Sequence, residues 1–241
     1  MNRYEIKAKA EVEAWKRKMT AHPGLFSKGT AALQSKINTY IPEKAHIAIT
    51  KAIKAMVEAV LFGSGFTSTT KYHERQLMLI EWKVKKKIDS YSTTAAIEGG
   101  VTGLGGLLAG LANFPLFLAI KMKMLFEIGT LYGHDMQAIH ERVFLLQLFQ
   151  LTLSSQQNRR QVFLNVFKPG RNFNDQQAGD FDWSKFQQEY RDSMDLAKLA
   201  QLIPGIGAVV GYVVNRKYTK KLGDYAINAY RMRRFEMQGE G

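Results

Sequence analysis

The sequence predicts an all-α protein: a compact multi-helix domain with two glycine-rich apolar helical segments packed in its core. Two observations predict the helices. Only five prolines interrupt 241 residues, and apolar residues recur at spacings of three and four while β-branched runs stay short. A third observation predicts the core segments. Gly99 to Ile120 is a run of 22 uncharged residues with six glycines, in a chain of net charge +13. The length fits one domain, residues 1–241, with enough chain to bury a sizeable core.

The first 20 residues form an amphipathic helix. Tyr4, Ala8, Val12, Trp15 and Met19 fall on one face, and Lys7, Lys9, Lys16, Arg17 and Lys18 lie largely off it. His22-Pro23-Gly24 stops the helix. Pro42 suits the first residue of a second helix, where its missing N–H would be unpaired anyway. Ala45, Ile49, Ala52, Met56 and Val60 make that helix's apolar face. Gly63 to Thr70 reads as a turn. A third helix runs from Lys71 into Lys87, burying Leu77, Ile80 and Val84. After the uncharged run, Leu116 to Leu131 is helical and ends at Gly133, the expected left-handed residue. Asp135 suits the cap of a helix from Met136 to Leu153. A short apolar helix spans Val162 to Phe167, and 168–182 is an exposed polar loop. Phe181 to Ala200 is helical. Pro204 opens a second small-residue segment that reaches Val214, and a basic helix with the stripe Tyr218, Leu222, Tyr225, Ala229 and Met232 completes the chain.

Glycine costs a helix about 0.8–1.0 kcal/mol relative to alanine, so the glycine-rich segments need a structural reason. Gly99 and Gly103, Gly106 and Gly110, and Gly207 and Gly211 each stand four apart, the spacing that lets helix backbones approach closely. The two segments are expected to face one another, glycine to glycine. A simple membrane span is disfavoured. Lys83, Lys85, Lys86 and Lys87 precede the first segment and Lys121 and Lys123 follow it, so charge selects neither orientation. Asn113-Phe114-Pro115 is expected to divide the segment into parts of roughly 12 and 8 residues, each too short at 1.5 Å per residue for a hydrocarbon core of about 30 Å.

The basic balance, 34 Lys plus Arg against 21 Asp plus Glu, favours anionic partners. Basic residues adjoin the apolar segments: Lys83, Lys85, Lys86 and Lys87 before the first, and Arg216, Lys217, Lys220 and Lys221 after the second. That placement suits lipid headgroups better than a duplex, and no zinc-finger, RRM or KH signature appears, so nucleic acid is disfavoured as a partner. The absence of cysteine removes disulfides, thiolate metal sites and cysteine nucleophiles. Residues Met1 to Lys18 lack the apolar run of a secretion signal, which favours a cytoplasmic location.

Several motifs together carry a family resemblance. Glu98-Gly-Gly-Val-Thr-Gly-Leu-Gly-Gly, then Ala112-Asn-Phe-Pro, Phe126-Glu-Ile and Leu131-Tyr-Gly-His-Asp, resemble the core signature of the EcsC family. Pro204-Gly-Ile-Gly-Ala-Val-Val-Gly with Asn215, and Ala229-Tyr-Arg-Met-Arg-Arg-Phe, are similar to its C-terminal part. The resemblance covers Ile80 to Phe235. It departs at Asn113, where an acidic residue is usual in the family. The family takes its name from a bacterial gene cluster that also encodes an ABC transporter. The resemblance therefore implies a bacterial protein working near a membrane complex, and it supplies no catalytic residues.

Chemistry is thinly represented. Glu98 and Glu127 are the carboxylates nearest the apolar segments, and an apolar site raises a carboxyl pKa towards acid–base use. Such residues more often pair with lysine or cap a helix. His134, Asp135, His140 and Glu141 are metal-ligand types, but the two histidines are six apart and do not share a helical face. Gly103-Leu-Gly-Gly lacks the Gly-Lys-Ser/Thr ending of a phosphate loop, and Ser64 lacks a nucleophile-elbow pattern. No cofactor or metal is expected. The reading that results is a non-enzymatic protein peripheral to the inner face of the cell membrane. It binds anionic lipid or a fatty acyl chain and acts with a transporter complex. The alternatives are a lipid-directed enzyme using Glu98 and a soluble adaptor of an ABC-transporter subunit.

Overall fold

The computed structural model describes residues 1–21, 43–63, 74–104, 106–154, 156–167 and 208–239. These residues hold seven helices: α1 (Arg3–Thr20), α2 (Glu43–Phe62), α3 (Leu77–Leu104), α4 (Gly106–Leu131), α5 (Ile139–Leu153), α6 (Gln156–Val166) and α7 (Ala208–Gly239). The expected start at Pro42, the turn after Gly63, the 168–182 loop, the helix from Phe181 to Ala200, and Gly207 lie outside the described residues.

Helix α1 forms as its sequence dictates. The Asn2 side chain accepts from the Glu5 N–H at 2.9 Å, and the Asn2 N–H donates to the Glu5 carboxylate at 3.0 Å, which closes a capping box. Ala8, Val12, Trp15 and Met19 are buried. Trp15 meets Phe163 of α6 and Tyr225 of α7 edge-on, with centroids 5.3 and 5.7 Å apart.

Helices α3 and α7 form the long antiparallel axis. Glu81 meets Arg231, Asp89 meets Lys220, and Ile88 packs on Gly223, so residue numbers fall on one helix as they rise on the other. Helix α4 folds back along α3, where Tyr91 donates to Glu127. Helix α2 packs on α4 and α5. Every residue of α5 from Glu141 to Leu153 is buried, and the helix packs against α2, α4, α6 and α7. Arg142 of α5 staples the end of α2, donating to the Leu61 and Gly63 carbonyls at 2.8 and 3.1 Å. Those carbonyls belong to the last turn of α2, which has no helical partners of its own.

Four expected boundaries are corrected. The third helix begins at Leu77 rather than Lys71 and runs on to Leu104. Glu74 bonds the Arg75 and Gln76 N–H groups, holding a turn just before the helix. Beyond Lys87, the hydroxyls of Ser92, Thr93 and Thr94 bond back to carbonyls three or four residues earlier, which satisfies them within the helix. The chain does not break at Asn113 to Pro115, because Pro115 lies inside α4. An internal proline costs about 3 kcal/mol. Burying Phe114, Phe117 and Leu118 around it returns about 1.5–3 kcal/mol each, which outweighs that cost. The corner of the uncharged run therefore falls between Leu104 and Gly106. Asp135 does not cap α5, whose N-cap is Ala138 without a side-chain bond. Its carboxylate accepts from the Gln137 N–H at 2.8 Å and shapes the preceding turn. Gly133 does end α4, with φ of 90°. Finally, the described part of the second apolar segment, from Ala208, is continuous with the basic helix as α7.

Gly223 lets α7 approach α3 closely at Ile88. A Cβ there would stand 2.5 Å from the Ile88 side chain. Gly223→Ala is expected to lower stability by about 1–3 kcal/mol through overpacking. Thermal melting checks this, and adding Ile88→Val should recover part of the loss.

Candidate functional site

The α3–α7 register, carried eight to twelve residues past the Asp89–Lys220 pair, brings Ile97 to Val101 level with residues 208–214 of α7. The first turns of α4 reach the same end, since α4 runs antiparallel to α3 from a corner just beyond Leu104. Among the described residues this end carries exposed apolar side chains. Ile97, Val101 and Leu116 are 57%, 64% and 52% exposed, and Tyr212 and Val213 are exposed beside them. Gly99 is buried at the level of Gly211 and Tyr212. Gly103 lies in the last turns of α3, and Gly106 and Gly110 in the first turns of α4. Each predicted glycine within the described residues therefore falls where α3, α4 and α7 meet.

Beneath the apolar tip the three helices contribute Glu98, Lys121 and Asn215, all within about one helical turn of one level. Lys121 is 2% exposed. Its Nζ has no hydrogen-bond partner and sits 3.0 Å from the centroid of the Phe117 ring. Burial drives its ammonium well below the ordinary range, against the pull of the Glu98 charge. Burial likewise raises the Glu98 carboxyl, and Lys121 opposes that rise. Asn215 is 0% exposed, and neither its Oδ1 nor its Nδ2 makes a hydrogen bond. A buried polar group left unsatisfied costs about 1–3 kcal/mol. Lys121 and Asn215 therefore lower stability at this level, which marks the place as a candidate site.

The predicted basic residues separate into two sets. Lys87 approaches Glu127 at 2.8 Å, and the other Glu127 oxygen accepts from Tyr91 at 2.6 Å. Burial would raise the Glu127 carboxyl, but Lys87 and Tyr91 outweigh it and the pKa falls. Lys86 lies over the Trp82 ring at 3.7 Å, Lys85 is exposed near Asp224, and Lys83 is half-buried. Lys220 pairs with Asp89 at 2.9 Å, and Lys221 donates to the Thr152 carbonyl at 2.7 Å. Arg216 and Lys217 are exposed, enter no ion pair among the described residues, and stand within about a turn of Val213. The Lys83–Lys87 set stands ten residues or more along α3 from Ile97, roughly 15 Å away from the tip.

Two buried arginine–carboxylate clasps hold the opposite end of α7. Arg231 grips Glu81 through Nε and a terminal nitrogen, both at 2.6 Å, and reaches Glu11 at 2.7 Å. Tyr4 and Tyr132 donate to the same Glu81 carboxylate. Arg233 grips Glu141, which also contacts His134 Nδ1 at 2.9 Å. With both carboxylate oxygens bonded, Glu141 is a strut between α5 and α7, and His134 joins the same clasp.

Glu98 was legible in the sequence as a carboxylate beside an apolar run. Lys121 was legible only as a charged flank, and Asn215 only as part of the family motif. The signal that unites them is the burial of Lys121 and Asn215 at the level of a half-buried Glu98, which needs the helix register.

The profile of the EcsC protein family matches residues 6–235 of this chain. Protein EcsC of Bacillus subtilis (strain 168) is 40% identical over 225 residues, covering 92% of this chain and 93% of that protein. The uncharacterized protein YdbA of the same organism is 28% identical over 145 residues, covering 59% of this chain and 53% of its own. No solved structure matches.

Proposed function

We propose, from the premise that this chain belongs to the EcsC protein family, that it is a peripheral membrane protein of the cytoplasmic face. It docks on anionic lipid by the apolar tip of α3, α4 and α7. One observation carries the reading: Ile97, Val101, Leu116, Tyr212 and Val213 are exposed at a single end, with Arg216 and Lys217 directly behind them. No helix of the described residues is long and apolar enough to cross a membrane, so contact by these residues is interfacial. Arg216 and Lys217 stand eight or nine residues along α7 from the level of Val101, on the order of 10 Å. An apolar face buried about 5–10 Å into the headgroup boundary would bring both cations to the phosphates. Each would then add about 1 kcal/mol on an anionic leaflet. Work beside a membrane transporter complex is part of the same proposal, and it follows from the family rather than from the site.

Flotation with liposomes tests the docking. The protein is expected to float with phosphatidylglycerol vesicles at low salt, to release at high salt, and to stay behind with phosphatidylcholine. Arg216→Glu with Lys217→Glu should abolish flotation, and Val101→Asp should weaken it. Equal recovery on both vesicle types, or no effect of the charge reversal, overturns the reading.

A further inference from the structure

We infer that Glu98, Lys121 and Asn215 form a site for the uncharged polar head of a single-chain acylglycerol, whose hydrocarbon chain lies against the apolar tip. The inference rests on the tip being lipid-facing and deepens that reading. Lys121 and Asn215 are buried with their polar atoms unsatisfied, and they stand on two different helices at the level of Glu98. The unsatisfied atoms define the chemistry of the guest. Lys121 Nζ is a donor, and the Asn215 amide offers one donor group and one acceptor. An ester carbonyl satisfies the donors, and a glycerol hydroxyl satisfies the Asn215 oxygen.

Charge selects an uncharged head. Glu98 already stands as the charge partner of Lys121, so the set offers no unopposed cation to an anionic head. A carboxylate or phosphate head would leave a net charge in an apolar core, which is strongly disfavoured. The hydrocarbon chain has a matching surface in Ile97, Val101 and Leu116, which stand exposed at the same end. Gly99 adds no side chain at that level of α3.

The test uses the full chain with 1-monolauroylglycerol, laurate and dodecane, each below its aggregation concentration. Monolauroylglycerol is expected to give saturable binding by calorimetry and to raise the melting temperature. Laurate should bind at least tenfold more weakly, and dodecane should show no saturation. Asn215→Leu should weaken monolauroylglycerol binding at least tenfold while melting a few degrees higher without ligand, because an unsatisfied amide is removed from the core. Asn215→Ala is the companion variant should leucine prove too large. Flotation on phosphatidylglycerol vesicles should be unchanged in either variant. Laurate binding as tightly as the acylglycerol, or unchanged binding by both Asn215 variants, overturns the inference. Flotation of the wild-type chain without saturable monolauroylglycerol binding also overturns it and leaves the docking proposal standing.

Discussion

Replacing Arg231 with methionine is expected to destabilise the fold by about 3–5 kcal/mol, the cost of breaking a buried ion pair from one side. Glu81 is 0% exposed and takes two short bonds from the guanidinium. Without Arg231, Glu81 keeps only the hydroxyls of Tyr4 and Tyr132 as partners. Two hydroxyl donors do not compensate a buried negative charge. The same substitution frees Glu11, so α1 loses one of its ties to α7. Amide exchange in α1 should therefore quicken more than exchange in α5, which is buried along its length. Urea unfolding measures the loss as a lower midpoint at unchanged slope. The double variant Glu81→Met with Arg231→Met should recover most of it, because well-packed apolar residues replace such pairs at little net cost. A single variant within about 1 kcal/mol of wild type would mean that Glu81 does not depend on Arg231. Tyr4 reports on the same clasp: burial, then its bond to Glu81, pushes the phenol up to about 12. In the Arg231 variant that phenol should titrate higher still, since the guanidinium charge that lowers it is gone.

The parts of this fold that were legible are those written within one or two helical turns. The stripe from Tyr4 to Met19, the left-handed Gly133 and the basic face of α7 follow from local spacing and backbone preference alone. The boundaries of α3 and α4 did not follow, because tertiary packing overrides propensity there. Glycines that disfavour a helix are carried by their neighbours, and Pro115 is carried by buried Phe114 and Phe117. The Glu81–Arg231 clasp joins residues 150 apart in sequence, and no local pattern marks it. The candidate site was half legible for the same reason. Glu98 stands next to an apolar run, whereas the burial of Lys121 depends on helices that arrive from elsewhere in the chain. A lysine beside an apolar segment is ordinarily solvated, and nothing in the local pattern marks Lys121 as buried. The basic residues, alike in the sequence, differ in the fold. Lys87, Lys220 and Lys221 each have a partner within the fold, while Arg216 and Lys217 stand exposed.

Acid should loosen the fold through Glu141, and the direction follows from its pKa. Burial would raise this carboxyl, but two bonds from Arg233 and one contact from His134 overcome burial and hold it at about 2, against an ordinary 4.5. A carboxylate depressed in the folded state stabilises the protein fully above its unfolded pKa, and that contribution is lost as pH falls through the folded value. The window is therefore about pH 4.5 down to about 2, and the contribution is on the order of 3 kcal/mol. Glu127 is also depressed and acts in the same sense. Glu98 and Asp224 are raised by burial and act in the opposite sense, gaining as pH falls. Total stability thus mixes both signs, and the difference between wild type and Glu141→Gln isolates the one carboxylate. That difference should be on the order of 3 kcal/mol at pH 6 and should shrink steadily below pH 4.5. A difference that stays constant from pH 6 to pH 2 would mean that glutamine costs packing rather than charge. The Arg233 guanidinium also lies over the Phe144 ring at 4.6 Å. Holding that contact in place is the second service of Glu141, so the variant should also perturb the near-ultraviolet aromatic signal of the Phe144 and Tyr230 cluster at neutral pH.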